Sequence, residues 1–199
     1  MSESAFPILT FDENALTPSL GYAFDPTCLD PYESLVGMLW KFSWFNRLPG
    51  HIVVSHVAKL AIDPYEGISA TMKEINVMRI AGSLHITKKA LRQATRREDS
   101  VRSRCPDLQF CHKCIARGYH SVVHQFAHQQ RCPIHGSPLE THCHRCGSLS
   151  NYHLSAKLIG SPFRCAECGS SFSHGSACIG KRPLLAQPGR TAITRAYFS

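Results

Sequence analysis

Two sets of closely spaced cysteines constrain the fold of this chain more than any other feature of its sequence. The first set runs from Cys111 to Gly136, CHKCIARGYHSVVHQFAHQQRCPIHG, and holds three cysteines and five histidines in 26 residues. The second set pairs CHRC at 143–146 with CAEC at 165–168, and eighteen residues separate the two pairs. Pairs of this kind at this separation are typical of zinc sites, in which two turns each supply two ligands to one ion.

Each set offers four ligands of the kinds that zinc prefers. In the second set all four are cysteines, the glycine after each pair permits a tight turn beneath the sulfurs, and the residues between the pairs suit short strands. In the first set a Cys-Pro-Ile-His sequence replaces the second pair, so three thiolates and one imidazole are present. The predicted ligands of two structural zinc ions are Cys111, Cys114, Cys132, His135, Cys143, Cys146, Cys165 and Cys168.

Other chemistry fits these residues less well. Haem attachment requires histidine directly after the second cysteine of a pair, where this sequence has Ile115. A catalytic zinc keeps an open ligand position and usually has a carboxylate base nearby, but the sequence has no Asp or Glu between Cys111 and Cys132. The sequence also lacks HExxH, P-loop and GxSxG motifs. We therefore expect a protein without enzymatic activity, in which metal stabilises the fold.

Three further histidines lie between the ligands of the first set. His120, His124 and His128 are spaced four residues apart and would share one face if the segment were helical. They could bind another metal ion or form a polar seam between the two zinc modules. The seam is favoured because two complete ligand sets exist without them. Cys105 is not part of a paired spacing and is interpreted as a packed thiol.

A buried helix is predicted in the first half of the chain. Asp30 is placed to cap it, Pro31 fits its first position, and Glu33 can bond back to the cap. A Pro-Gly pair at 49–50 predicts its end. The segment LVGMLWKFSWF between these signals is apolar around nearly the whole helix circumference, which indicates burial. The sequence DPYE, which begins at Asp30, occurs again at 63–66, after HIVVSHVAKLAI. The same capping residues therefore predict the start of a second helix there.

A helix, a short turn and another helix have the spacing of a helix-turn-helix unit, although helical hairpins share it. Basic side chains at Lys88, Arg92 and Arg96 recur every fourth residue and therefore lie on one face of a predicted helix. This face either meets only solvent or contacts nucleic-acid phosphates, and the residues leave both interpretations open. The candidate nucleic-acid or partner-binding residues are Lys88, Lys89, Arg92, Arg96, Arg97, Arg102 and Arg104.

Charge is distributed unevenly along the chain. Up to Leu35 there are six acidic residues and no Lys or Arg, which leaves 22 basic against 8 acidic side chains in the remainder. A body this basic favours a polyanionic partner. The N-terminus carries no basic region typical of a secretory signal, and no run of about 18 apolar residues occurs anywhere. We expect a cytoplasmic protein with reduced cysteines and no membrane contact.

In the order of its motifs the chain resembles the TniQ family of transposition proteins. The resemblance rests on ESLVGMLWKFSWFNRLPG, on CHKCIARGYHSVVHQFAHQQRCPIHGSPLETHCHRCGSL and on the final CAECGSSF, most of residues 30 to 175. The first pair reads Cys-His-Lys-Cys where the family commonly has Cys-Pro-x-Cys, a departure that costs no ligand. The resemblance implies a fold of class α with small zinc-ribbon modules, in which a helical, helix-turn-helix-like part precedes two zinc fingers. One finger has three cysteine ligands and one histidine ligand, and the other has four cysteine ligands.

The resemblance also implies a role and partners. Family members are adaptors for target-site selection in DNA transposition, which link a target-recognition complex to an AAA+ ATPase regulator of the TnsC type. The recognition complex is target DNA or a bacterial CRISPR effector with its guide RNA, and a homodimer is a further option. Longer relatives have a C-terminal extension with more DNA-binding helices, so the short adaptor type is expected. A zinc-containing DNA-binding transcription regulator is the alternative. The predicted divisions are an N-terminal arm (1–29), a helical domain (30–104), a tandem zinc-finger domain (105–178) and a basic tail (179–199).

Overall fold

Short helices joined by turns form most of the regular structure. Backbone pairing within the described residues is limited to isolated antiparallel bridges, so the fold is mixed helical with few strand pairings. This confirms the helical part of the predicted fold class, whereas the helix-turn-helix-like arrangement stays a prediction. The computed structural model describes residues 21–95, 104–175, 177 and 184–199. Its helices are α1 (Leu35–Asn46), α2 (Gly50–Val57), α3 (Val77–Ser83), α4 (Lys88–Thr95), α5 (His112–Ala116), α6 (Ala156–Ile159) and α7 (Gln187–Phe198), with 3-10 helices at Pro26–Cys28 and Val122–Gln125.

Helix α1 lies in the core and begins at a different cap from the predicted one. The Oγ of Ser34 caps it, accepting a hydrogen bond from a first-turn amide at 3.0 Å. The prediction that Asp30 caps the helix was wrong, because Tyr32 adopts a φ of 55° and interrupts helical backbone before Glu33. Glu33 does accept the predicted bond from the Asp30 amide, at 3.1 Å. A left-handed Arg47, with a φ of 51°, ends the helix just before the predicted stop.

The second DPYE sequence forms a single turn, so the prediction of a helix start there was wrong. The Oδ1 of Asp63 accepts a hydrogen bond from the amide of Tyr65 at 2.8 Å, and the amide of Gly67 donates to the Asp63 carbonyl at 3.0 Å. Gly67 then adopts a φ of 76°, which ends helical backbone and turns the chain towards Leu154. A Cβ on Gly67 would lie 2.5 Å from the Leu154 carbonyl oxygen, so this approach requires glycine.

Helix α6 joins the core at a place where short strands were predicted. The indole Nε1 of Trp40, on α1, donates to the carbonyl of Leu158 at 2.7 Å. Gly50, at the start of α2, approaches α6 so closely that a Cβ would lie 2.1 Å from the carbonyl oxygen of Ala156. The prediction of strands was wrong because Ser155 caps a helical turn here, and that turn packs against α1 and α2.

The main hydrophobic core contains residues from both sides of residue 104. The ring of Phe163 lies 4.8 Å from that of Trp40, and the ring of Phe110 lies 4.5 Å from that of Phe172. All four side chains are buried in one cluster. The division into a helical domain and a zinc-finger domain stays a prediction, but the two halves share this core.

A buried ion pair ties α1 to the turn before it. The Nζ of Lys41 lies 2.6 Å from the Oε1 of Glu33, and neither side chain is exposed to solvent. The same ammonium donates to the Cys28 carbonyl at 2.9 Å. Charges buried this deeply depend on each other, since removing one partner leaves the other without compensation.

Helix α7 lies within the predicted tail and packs against the first cysteine region. Ile193 is fully buried against Val122 and Val123, and the amide of Leu185 donates to Asp30 Oδ1 at 2.8 Å. The rest of that tail up to residue 183, and residues 1–20 of the predicted arm, lie outside the described residues. Among the helices that the structure describes, none has the length and apolar character needed to cross a membrane.

Candidate metal centres

The first metal centre consists of the four predicted ligands Cys111, Cys114, Cys132 and His135, which two elements bring together. Cys111 is the N-cap of α5, and Cys114 lies one turn later on the same helix. Cys132 and His135 lie on a tight turn, closed by a hydrogen bond from the Gly136 amide to the Cys132 carbonyl at 2.8 Å. Gly136 has a φ of 65°, a conformation that glycine adopts without strain.

Separations between the ligand atoms fit a tetrahedral ion. The Sγ atoms of Cys114 and Cys132 lie 3.6 Å apart. The Nδ1 of His135 lies 3.4, 3.3 and 3.6 Å from the Sγ atoms of Cys111, Cys114 and Cys132 respectively. A tetrahedral zinc ion with Zn–S bonds of about 2.3 Å and Zn–N bonds of about 2.0 Å requires edges of about 3.5 to 3.8 Å. The side chains therefore stand close to the positions that such an ion needs.

The three thiols of this centre are close enough to share protons. Hydrogen bonds with Cys114 and Cys132 lower the pKa of Cys111. The hydrogen bond with Cys111 raises the pKa of Cys114 well above its usual value and raises the pKa of Cys132 to about 11. Three thiolates can coexist here at neutral pH only beside a cation, so metal binding releases protons from this group.

Two neighbouring groups can donate hydrogen bonds to these sulfurs. The Nδ1 of His124 accepts a hydrogen bond from the amide of Ser121 at 3.4 Å, so Nε2 carries the proton and faces the Sγ of Cys132 at 3.7 Å. Burial lowers the pKa of His124 to about 3, which keeps the ring neutral. The Oγ of Ser137 lies 3.3 Å from the Sγ of Cys111. Such donors orient metal ligands and stabilise thiolates.

The second metal centre consists of Cys143, Cys146, Cys165 and Cys168, on two turns of the same kind as the Cys132 turn. The Gly147 amide donates to the Cys143 carbonyl at 2.8 Å, and the Gly169 amide donates to the Cys165 carbonyl at 2.9 Å. The two glycines have φ values of 72° and 71°, as the CxxCG spacing predicts.

Sulfur separations in the second metal centre also fit one ion. The Sγ atoms lie 3.6 Å apart for Cys143 and Cys168, and 3.7 Å apart for Cys146 and Cys165. The Oγ of Ser148 lies 3.0 Å from the Sγ of Cys146 and 3.2 Å from that of Cys165, so one hydroxyl lies beside both turns. Each of the two centres can hold a metal ion, and their ligand types and distances are compatible with structural zinc.

The three histidines predicted to share a helix face do not form one row. The rings of His120 and His124 are buried and lie 5.4 Å apart. The 3-10 helix ends at Gln125, so it does not continue to His128, which is exposed. The Nε2 of His120 donates to the Gln109 carbonyl at 2.8 Å, which leaves Nδ1 to accept from the Ser34 hydroxyl at 2.6 Å.

Burial lowers the pKa of His120 to about 4, so this ring is neutral. The polar contact that it makes joins the first cysteine region to the cap of α1. The histidines were expected to form polar contacts between the two zinc modules. His120 instead bonds to Ser34, the cap of α1, rather than to the second metal centre.

The predicted basic residues divide into three groups. Lys88, Lys89 and Arg92 are exposed on α4, whose opposite side buries Leu91. The guanidinium of Arg104 donates to the carbonyl of Ala70 at 3.0 Å and to the carbonyl of Thr95, at the C-terminal end of α4. The structure thus places Arg104 against the backbone and away from the exposed α4 face. Arg96, Arg97 and Arg102 lie outside the described residues, as does Cys178.

Sequence reasoning missed the serines that contact the sulfurs. Ser137 and Ser148 each follow the glycine of a cysteine turn, and their backbone carbonyls accept hydrogen bonds from the first cysteine of that turn at 2.8 and 2.9 Å. A Gly-Ser pair follows all three turns, at 136–137, 147–148 and 169–170. This repetition was a readable signal for a shared turn geometry.

Comparison with known proteins gives no family assignment. No model of a known protein family matches the chain. No curated protein matches it either.

Proposed function

We propose that this protein is a non-enzymatic zinc-binding adaptor for target-site selection in DNA transposition, of the TniQ type. The proposal is supported by the two groups of four ligands, whose atoms lie at distances that suit a tetrahedral ion. The two groups also follow each other in the motif order on which the resemblance to the TniQ family rests. Each group holds one zinc ion, and no ligand position is left for catalysis. The adaptor acts in the bacterial cytoplasm, where the cysteines stay reduced and available to the metal.

The proposed adaptor links two partners. One is an AAA+ ATPase regulator of the TnsC type, and the other is a target-recognition complex, which is a CRISPR effector with its guide RNA or the target DNA. The exposed cations Lys88, Lys89 and Arg92 on α4 support contact with a nucleic acid or an acidic protein. The helix-turn-helix-like part of this proposal is the helical region 30–104, in which a short turn at residues 47–49 joins α1 to α2, and α3 and α4 follow.

Reconstituted transposition tests the adaptor role. Targeted insertion is measured with purified ATPase, transposase and recognition complex, with and without this chain. Charge reversal of the α4 face, Lys88→Glu with Arg92→Glu, changes exposed side chains and should leave the fold intact while it reduces insertion and partner binding. The matched control is Lys59→Glu, an exposed lysine outside α4. Unchanged targeted insertion when the chain is omitted would refute the proposal.

The exposed basic face of α4 also favours a second candidate, a zinc-containing DNA-binding transcription regulator. Such a regulator binds duplex DNA tightly by itself, and its log affinity falls with log salt by about 0.9 per phosphate contact. A reproducible footprint with this salt dependence would support the regulator. Weak binding to DNA combined with tight binding to the ATPase or the effector would support the adaptor.

A further inference from the structure

A third group of potential metal ligands lies outside both metal centres. It consists of His112, Glu140 and His174, and one ligand atom from each lies within 4.8 Å of the others. The Nδ1 of His112 is 3.2 Å from the Oε1 of Glu140, and the rings of His112 and His174 are 4.7 Å apart. None of these residues is a ligand of the first or second metal centre.

Rigid backbone holds two members of this third group in place. His112 is the first residue of α5, directly after the ligand Cys111. Glu140 exchanges two backbone hydrogen bonds with Phe110, each of 2.9 Å, so the side chain of Glu140 is fixed beside the start of α5. His174 lies two residues after Phe172, whose ring packs 4.5 Å from that of Phe110. The aromatic contact brings the segment after the second metal centre against the first.

We propose that His112, Glu140 and His174 form a third metal site, which binds Zn²⁺ from solvent. Two imidazoles and one carboxylate are a ligand set that zinc accepts, with Zn–N and Zn–O bonds of about 2.0 to 2.2 Å. The tetrahedral edge for such bonds is about 3.3 to 3.6 Å, and the separation between His112 and Glu140 is 3.2 Å. The distance between these two ligand atoms is thus close to the distance that a bound zinc ion requires.

The third metal site is more exposed than the first metal centre, whose three cysteines are buried, whereas the second metal centre has two exposed cysteines. The side chains of His112 and Glu140 are 23% and 34% exposed, and His174 is exposed. A surface cleft of about 370 Å³, lined in part by His144 and His174, provides a path for the ion. The ring of His144 lies 5.5 Å from that of His174, so His144 or water takes the fourth position.

The ligands come from three separate parts of the chain. His112 precedes the tight turn of the first metal centre, Glu140 lies between the two centres, and His174 follows the last cysteine of the second. An ion bound here therefore crosslinks the two metal centres at the surface. This site exchanges its ion with solvent more readily than the two metal centres, because its ligands are fewer and free of thiolates.

Metal stoichiometry tests the third site. The full chain, without a polyhistidine tag, is equilibrated at buffered free Zn²⁺ concentrations and the ions are counted by native mass spectrometry. We expect two tightly held ions and a third at higher free Zn²⁺. The variants His174→Ala and Glu140→Gln should retain two ions and bind the third at least about tenfold more weakly, since loss of even an outer-shell partner costs about 10- to 100-fold. The control His128→Ala changes an exposed histidine outside the site and should retain all three.

Cobalt provides a second readout. A third equivalent of Co²⁺ should bind without adding thiolate-to-metal charge-transfer absorption, because the third site contains no cysteine. Saturation of the unmodified chain at two ions would overturn the proposal. A third ion that binds His174→Ala and Glu140→Gln with unchanged affinity would also overturn it, because that ion would lie elsewhere. In either case the contact between His112 and Glu140 is a hydrogen bond only.

Discussion

Replacing His120 by alanine should destabilise the protein strongly, although this residue binds no metal in either centre. Its ring is fully buried, donates to the carbonyl of Gln109 at 2.8 Å and accepts from the hydroxyl of Ser34 at 2.6 Å. The variant His120→Ala leaves the Gln109 carbonyl and the Ser34 proton without these partners. Each buried group left unsatisfied costs about 1 to 3 kcal/mol, and the missing ring adds a cavity. We therefore expect a loss of about 3 kcal/mol in the free energy of unfolding.

Equilibrium urea unfolding at a fixed free-zinc concentration measures this loss. With a denaturant slope of about 2 kcal/mol per molar, the transition midpoint should fall by about 1.5 M. Zinc content, measured before unfolding, should stay unchanged in the folded variant, since His120 is not a ligand. The exposed His128→Ala serves as the control and should shift the midpoint little. If both variants shift it by the same small amount, the buried contact between the first cysteine region and the α1 cap contributes nothing, and the reasoning fails.

Three further predictions concern pH, packing and metal. Burial lowers the pKa of His120 to about 4 from 6.5, so the unfolded chain binds the proton more readily and stability falls as pH drops through that interval. Between pH 7 and 5 the free energy of unfolding, measured in urea, should fall by about 2 kcal/mol more for the native protein than for His120→Gln, which does not titrate. The variant Gly50→Ala should unfold at much lower temperature because its Cβ meets the backbone of α6, whereas Gly82→Ala, with open space around it in α3, should gain up to about 1 kcal/mol in calorimetry. The variant Cys114→Ser should lower tightly held zinc from two ions to one per chain by elemental analysis, whereas Cys105→Ser, which alters no ligand, should leave two.

The metal ligands could be predicted from sequence because their geometry is local. A pair of cysteines with two residues between them, followed by glycine, specifies one turn almost alone, and the φ values of Gly147 and Gly169 agree with that expectation. No local rule tells which two turns bind the same ion. That pairing was predicted from the number of residues between the cysteine pairs.

Features that depend on distant contacts could not be predicted in the same way. Two DPYE sequences have identical capping residues, yet neither starts a helix: Tyr32 turns one of them at a positive φ, and Gly67 turns the other towards Leu154. Helix α6 forms where strands were expected, beside the backbone of Gly50. In each case the partner lies far away in sequence, and periodicity carries no information about it.

The buried indole of Trp40 gives the protein an internal optical probe. The chain has two tryptophans: Trp40 is buried, bonded to the Leu158 carbonyl at 2.7 Å and packed on Phe163, whereas Trp44 is 52% exposed. Iodide should quench the emission of Trp44 and spare that of Trp40. In a Trp44→Phe variant the remaining emission would come from the contact between α1 and the segment that carries the second metal centre. The wavelength of its emission maximum would then report, without any added label, whether that segment stays packed against α1 when zinc is removed.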